Sequence, residues 1–278
     1  MASICEIGPG EDRVVLIVVA HADDMALFLG GTVARWCDAG WRVVLVRVTD
    51  DRWDSVALSE AATIVANTHE LRAAAAILGV HEVVDLGYPT DVLGDASAVE
   101  LREKIIRQVR SWRPYALVSF DPYSGVGEDN QDHLVVAKAV DEAFWTAQFD
   151  KHHPEHFAAG LAPHGAFERW YFGRPVREVT DVVDIAATIE RKLAAARAHD
   201  TPLRNAVEQL RLQARTGGWQ VPALDEARSG DLGPLLEVLV RGAAERVGER
   251  HGVRCAEEFR VVRFGGLGAV LEAIGRRV

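Results

Sequence analysis

Val14-Val-Leu-Ile-Val-Val-Ala20, with His21-Ala22-Asp23-Asp24 directly behind it, is the stretch that decides the fold. An unbroken apolar run rich in β-branched residues predicts a strand buried on both faces, as strands of a parallel sheet are. Residues 24–37 then read as a helix, with Leu27, Leu29, Val33 and Trp36 among its apolar positions and Gly40 just beyond its end. Arg42-Val-Val-Leu-Val-Arg-Val-Thr49 is a second strand. After a polar loop through Arg52 and Asp54, residues 68–78 form a helix stopped by Gly79, a residue suited to the left-handed C′ position.

Working outward, Glu82-Val-Val-Asp-Leu86 is a third, shorter strand. Ser97 with Glu100 three residues on makes a capping box, so a helix opens there and runs to about Trp112, ended by Pro114. Tyr115-Ala-Leu-Val-Ser-Phe120 is the fourth strand, and a helix from near Asp132 to about Ala147 follows its loop. Strand and helix alternate four times, which predicts a Rossmann-like α/β fold: a mostly parallel sheet with right-handed crossovers and helices on both faces. Beyond it the pattern predicts one more strand at Arg169-Trp-Tyr-Phe172, a helix over 185–198 and two further helices in 203–250. With no linker visible, residues 1–278 read as a single domain, its core at about 13–200 and a mainly helical extension at about 201–278.

A chain of 278 residues can bury one large α/β core. Its 49% hydrophobic and 26% charged composition is that of an ordinary globular protein. A formal charge of −10 speaks against a nucleic-acid partner, because phosphate-backbone affinity needs clustered Lys and Arg. No apolar run approaches membrane-spanning length and no basic leader precedes one, so the expectation is a cytoplasmic protein without a membrane partner. Cys5, Cys37 and Cys255 are widely spaced and form no C-x-x-C pair, which predicts neither disulfides nor a thiolate zinc cluster.

The chemistry gathers at two strand ends. Ligands of open α/β sheets bind outside the carboxyl ends of the strands. His21, Asp23 and Asp24 crowd that edge after the first strand; Asp24 capping the helix and Asp23 complementing its dipole is the plain alternative. After the fourth strand, Asp121-Pro-Tyr-Ser-Gly-Val-Gly-Glu-Asp-Asn-Gln-Asp-His133 brings a second imidazole to the same edge. Two imidazoles and one carboxylate, with a fourth position free for water, suit a catalytic zinc ion.

These motifs resemble the PIG-L/LmbE-like N-acetylglucosamine deacetylase family. The likeness rests on His21-Ala22-Asp23-Asp24, Gly30-Gly31 and Asp132-His133, with Glu70-Leu-Arg-Ala-Ala-Ala-Ala-Ile-Leu-Gly-Val80 and Lys192-Leu-Ala-Ala-Ala-Arg-Ala-His199 in support. It covers about residues 13–200. The resemblance implies that His21, Asp24 and His133 hold the metal and that Asp23 is the catalytic base. Asp132 would then be an acid that orients a ligand imidazole. It implies zinc-assisted removal of an N-acyl group, acetyl in this family's manner, from an amino sugar or related small metabolite. Iron, nickel or another divalent ion is the alternative metal.

The sequence departs from the family at four positions. Its usual Pro is Ala22, its frequent Glu is Met25, and an Arg of some sugar-deacetylating members is Asn67. The His that commonly stabilises the tetrahedral intermediate is Asn130, which can donate a hydrogen bond but cannot become cationic. Arg52, Asp54 and His199 are expected at the substrate, against the plainer readings of a solvated loop and a helix-end cation. His152-His-Pro-Glu-His156 reads as a solvated loop rather than a second metal site. His69-Glu70 and His81-Glu82 do not extend to His-Glu-x-x-His, and Gly30-Gly31 and Gly265-Gly266 do not make a dinucleotide loop. Trp53, Trp145, Trp170 and Tyr171 read as core or rim packing. Alternative functions are an amidase acting on thiol-sugar or antibiotic conjugates, or a metal-binding member without catalysis. A homo-oligomer is compatible with all three.

Overall fold

The computed structural model describes residues 2–123, 127–263 and 268–276. Residues 124–126 of the expected site loop, and Gly265 and Gly266, lie outside the described residues.

The Val14–Val19 strand (β2) lies near the middle of an eight-stranded sheet, and every residue from Val15 to Val19 is fully buried. Arg42–Thr49 (β3) pairs with it on one side and Ala116–Phe120 (β5) on the other, both parallel. Glu82–Tyr88 (β4) is the next strand beyond β3, and Glu168–Phe172 (β6) the next beyond β5. Ala256–Arg263 (β8) runs antiparallel to β6 and carries Asp181–Asp184 (β7) and Ser3–Ile4 (β1) outside it. The sheet order is β1-β7-β8-β6-β5-β2-β3-β4. The mostly parallel α/β sheet read from the sequence is therefore the observed one, with an antiparallel strand inserted at β8.

The helices that link the parallel strands divide into two groups. Asp24–Asp38 (α1), Glu60–Leu78 (α2) and Ile189–Arg197 (α6) pack on one another, and Ala98–Trp112 (α3) packs on Gln131–Thr146 (α4). Ser97 caps α3 by accepting from the Glu100 amide, as its sequence predicts. Three boundaries differ from expectation. The α2 helix begins eight residues early because Ser59 caps it, accepting from the Ala62 amide, and because Thr63 and Asn67 are buried against the body. Residues 181–184, which precede the helix expected at 185–198, form β7.

The third difference is the extension. In place of two helices, residues 200–251 hold Asp200–Thr216 (α7), Pro222–Ser229 (α8), Gly233–Leu236 (α9) and Gly242–His251 (α10). A π-helical turn over Glu237–Arg241 joins the last two. Pro154–Ala158 (α5) lies earlier in the chain, between α4 and β6. The extension also supplies β8, so it is woven into the sheet rather than attached to it. Among the described residues no helix is long and apolar enough to cross a membrane.

Candidate metal and catalytic site

The buried end of β2 points His21 out of the sheet edge, and α1 begins three residues later. The turn between them is fixed from β3. Asp51, buried and held in a left-handed backbone conformation at φ 54°, accepts from the Ala22 amide at 3.1 Å. The same carboxylate takes Arg47 at 3.0 Å and the Thr49 hydroxyl at 3.1 Å. Neither acid of the motif caps α1: Asp23 makes no capping bond, and Asp24 Oδ2 accepts from the His21 amide at 2.7 Å. From the far side, β5 and the start of α4 deliver His133, whose ring stacks on Phe120 at 3.9 Å.

Three donor atoms meet there. His21 Nδ1 lies 3.1 Å from His133 Nε2, which lies 3.2 Å from Asp24 Oδ1, and Asp24 Oδ2 is 3.6 Å from His21 Nδ1. Metal–ligand bonds of about 2.1 Å at tetrahedral angles place neighbouring donors roughly 3.4 Å apart, so the spacing fits a single divalent cation. The outward nitrogens agree. His21 Nε2 faces Asp132 at 3.5 Å and His133 Nδ1 faces Glu128 at 3.2 Å. A proton held on each outward nitrogen leaves both inward lone pairs aimed at one point. All three side chains are at least nine-tenths buried, and all three line the cavity.

Electrostatics follow from the same packing. Burial resists charge on Asp24, yet His133 and His21 hold its carboxyl well below the usual range. Burial, and then the adjacent Asp24 charge, push the Asp23 carboxyl up. Asp23 is half-buried, lines the cavity over the three donors, and its carboxylate has no hydrogen-bond partner among the described residues. Asp132 is held down despite burial by His21 and by the Asp91 and Leu93 amides that it accepts from.

The remaining expected positions divide. Asp54 lines the cavity, with its carboxyl pushed up to about 6 mainly by burial. Asn130 lines it too, but its Oδ1 caps α4 by accepting from the Asp132 amide at 2.9 Å, leaving only the amide nitrogen to serve a ligand. Arg52 does not reach the cavity: Asp50 engages its guanidinium at 2.5 Å, so the substrate position expected for it is not where it lies. His199 is also off the cavity surface, fully buried, with neither ring nitrogen bonded among the described residues. The three-histidine stretch is not a solvated loop throughout, because His156 is buried between Glu103 at 2.6 Å and Arg110 at 3.0 Å. Of the aromatic residues, Trp170 and Tyr171 are core while Trp53 and Trp145 are exposed. The three cysteines are free.

Sequence reasoning passed over Asp51 and Glu128. Each is a buried acid facing a site group from another element, and nothing in local periodicity marks such a partner. Asn67 also has a place: its amide donates to the Asp51 and Asp54 carbonyls and so fixes the loop that carries Asp54. The cavity holds about 910 Å³ and runs from the donor cluster to a wall made by α7 and α10.

A Rossmann-like sheet with a two-imidazole, one-carboxylate cluster at its carboxyl edge defines an α/β metal-site protein. More narrowly, residues 16–144 match the PIG-L family model, described as GlcNAc-PI de-N-acetylase. Over 200 residues it is 29% identical to the diacetylchitobiose deacetylase of Thermococcus kodakarensis, covering 70% of this chain and 72% of that one. Over 311 residues it is 28% identical to a 1D-myo-inositol 2-acetamido-2-deoxy-alpha-D-glucopyranoside deacetylase of Rhodococcus jostii, covering 92% and 99%. The solved structure of N,N'-diacetylchitobiose deacetylase from Pyrococcus horikoshii shares the fold, with a TM-score of 0.74, 23% identity and coverage of 94% and 90%.

Proposed function

We propose that this chain is a zinc-dependent hydrolase that removes an N-acetyl group from an amino sugar or a related small molecule. The observation that carries the reading is the cluster of His21, Asp24 and His133 donors with Asp23 left unbonded beside it. The names of the two similar deacetylases support the sugar substrate.

His21, Asp24 and His133 would hold the ion. When bound, it supplies Lewis acidity, polarising an amide carbonyl and lowering the pKa of water to about 7. Two nitrogens and one oxygen at near-tetrahedral spacing favour zinc over harder, six-coordinate cations. Asp23 takes the proton from the attacking water and returns it to the departing amine, a role suited to a carboxyl raised by burial and by the Asp24 charge. Asp132 and Glu128 fix the imidazole tautomers. Asp54 offers an acceptor for substrate hydroxyls, and the Asn130 amide nitrogen a single donor near the reacting carbonyl.

Elemental analysis of purified protein, paired with amine release from a panel of N-acetylated sugars, tests the reading. Asp23→Asn should retain the metal and lose about 10²- to 10⁴-fold in kcat. His133→Ala should lose the metal itself. Zinc-loaded wild type that releases no amine from any N-acetylated sugar in the panel refutes the assignment.

A further inference from the structure

The two ends of the cavity differ in charge, and the sheet order explains why. Asp54 and Asp91 reach the cavity from the loops after β3 and β4, on one side of β2. Asp23 and Asp24 join them at the turn after β2. The opposite side belongs to β6 and β8. Because β8 runs antiparallel to β6, its first residues lie at the carboxyl edge, and α10, which leads into it, lies there too. From that side the cavity receives Arg174, just after β6, and Arg246 and Arg250 of α10.

These arginines are not equally free. Arg250, in the last turn of α10, pairs with Glu258 at 2.7 Å. Arg174 lies 3.4 Å from Glu128. Lys192, also on the lining, is tied to Glu257 at 2.5 Å. Arg246 has no hydrogen bond or ion pair from its side chain among the described residues. Gly242 lies one turn before it, where an added Cβ would come 3.3 Å from Arg246 Nη1. That missing side chain leaves the guanidinium room to lie along the helix. The π-helical turn at Glu237–Arg241 immediately precedes this stretch, and such turns occur often at functional sites.

We propose that Arg246, on the same cavity side as Arg174, receives an anionic group of the substrate, a phosphate or a carboxylate borne away from the scissile amide. This rests on the deacetylase reading for the position of the amide, but the subsite itself does not. In a chain of net charge −10, an uncommitted guanidinium on a cavity wall is matched by an anionic ligand better than by a neutral one. The planar fork of Arg recognises either anion by paired, charge-assisted hydrogen bonds.

The test compares the neutral methyl glycoside of N-acetylglucosamine with N-acetylglucosamine 1-phosphate and N-acetylmuramic acid, the latter two separating phosphate from carboxylate. Zinc-loaded wild type should favour at least one anionic sugar about tenfold in kcat/KM. In Arg246→Ala that ratio should collapse towards one, and Arg246→Lys should retain part of it. Arg228→Ala, a surface arginine outside the cavity paired with Glu208, should leave the ratio where it is. Calorimetry with N-acetylglucosamine 1-phosphate gives a readout independent of turnover. Binding weakened about tenfold by Arg246→Ala, with no amine released from any sugar, upholds the subsite and sinks the deacetylase reading. Amine released equally from all three sugars, with a ratio unmoved in Arg246→Ala, overturns the subsite and leaves the deacetylase reading standing.

Discussion

His133 faces a carboxylate through each ring nitrogen, Asp24 at 3.2 Å and Glu128 at 3.2 Å. Glu128 is buried with its Oε2 3.2 Å from His133 Nδ1, where a carboxylate favours a proton on that nitrogen and leaves the other lone pair turned inward. Replacing Glu128 by Gln keeps the shape and removes the charge. We expect the variant to bind zinc about 10- to 100-fold more weakly, measured by chelator competition, with activity recovered at excess metal. Unchanged zinc affinity would mean that Glu128 serves only Arg174 and the Asn130 amide. Asp132 performs the matching task for His21, and it was legible because it stands beside His133 in a recognisable pair. Glu128, five residues earlier in an irregular loop, carries no such mark. Asp51 was hidden for the same reason: its partner is the Ala22 amide, 29 positions away. Residues that present themselves at a strand end can be read from sequence, whereas the residues that orient them depend on where other loops return.

At the scale of elements, α1 is two helical pieces joined at Leu29, which departs from helical geometry with φ −134° and ψ 17°. The second piece opens with Gly30-Gly31-Thr32, and Glu257 of β8 accepts from the Gly31 and Thr32 amides at 3.1 and 2.8 Å. A carboxylate at a helix start meets both the free amides and the positive end of the dipole. Gly31 is also where α1 touches the segment before α6: an added Cβ would fall 2.7 Å from Ile185. Gly31→Ala should therefore cost about 1–3 kcal/mol, read as a lower melting temperature. The cost should be smaller in an Ile185→Ala background, which lacks the Ile185 Cδ1 and Cγ2 that the new methyl would meet, and an equal cost in both backgrounds would argue against this contact as the cause. The sequence shows Gly30-Gly31 as a motif but not its purpose, because β8 was not visible. Glu257, Glu258 and Arg260 interrupt the apolar pattern of that strand, and their partners Lys192, His251 and Asp121 lie on other elements. The strands β2 to β5 are parallel and mostly apolar, with the charge of Arg47 in β3 met close by at Asp51 and Asp85, and they were read nearly to the residue.

Across the whole molecule, His199 links folding to pH. It sits at the start of α7, fully buried, near Asp24 and Arg47, which come from α1 and β3. Burial outweighs the attraction of Asp24 and lowers its pKa from 6.5 to about 4. The unfolded chain therefore takes up a proton on this residue below about pH 6.5 while the folded chain still excludes it. Its stabilising contribution is complete above pH 6.5 and is lost as pH falls towards 4. Linkage gives about 2 kcal/mol lost by pH 5 from this group alone. Melting curves of zinc-loaded protein from pH 7.5 to 5 should fall several degrees more in wild type than in His199→Leu, which keeps the burial without the titration. Other carboxylates and imidazoles titrate in the same window in both proteins, so the difference between the two slopes isolates His199. Parallel slopes would mean that water or a neighbouring acceptor already satisfies the buried ring, and that the α7 junction carries no acid sensitivity of its own.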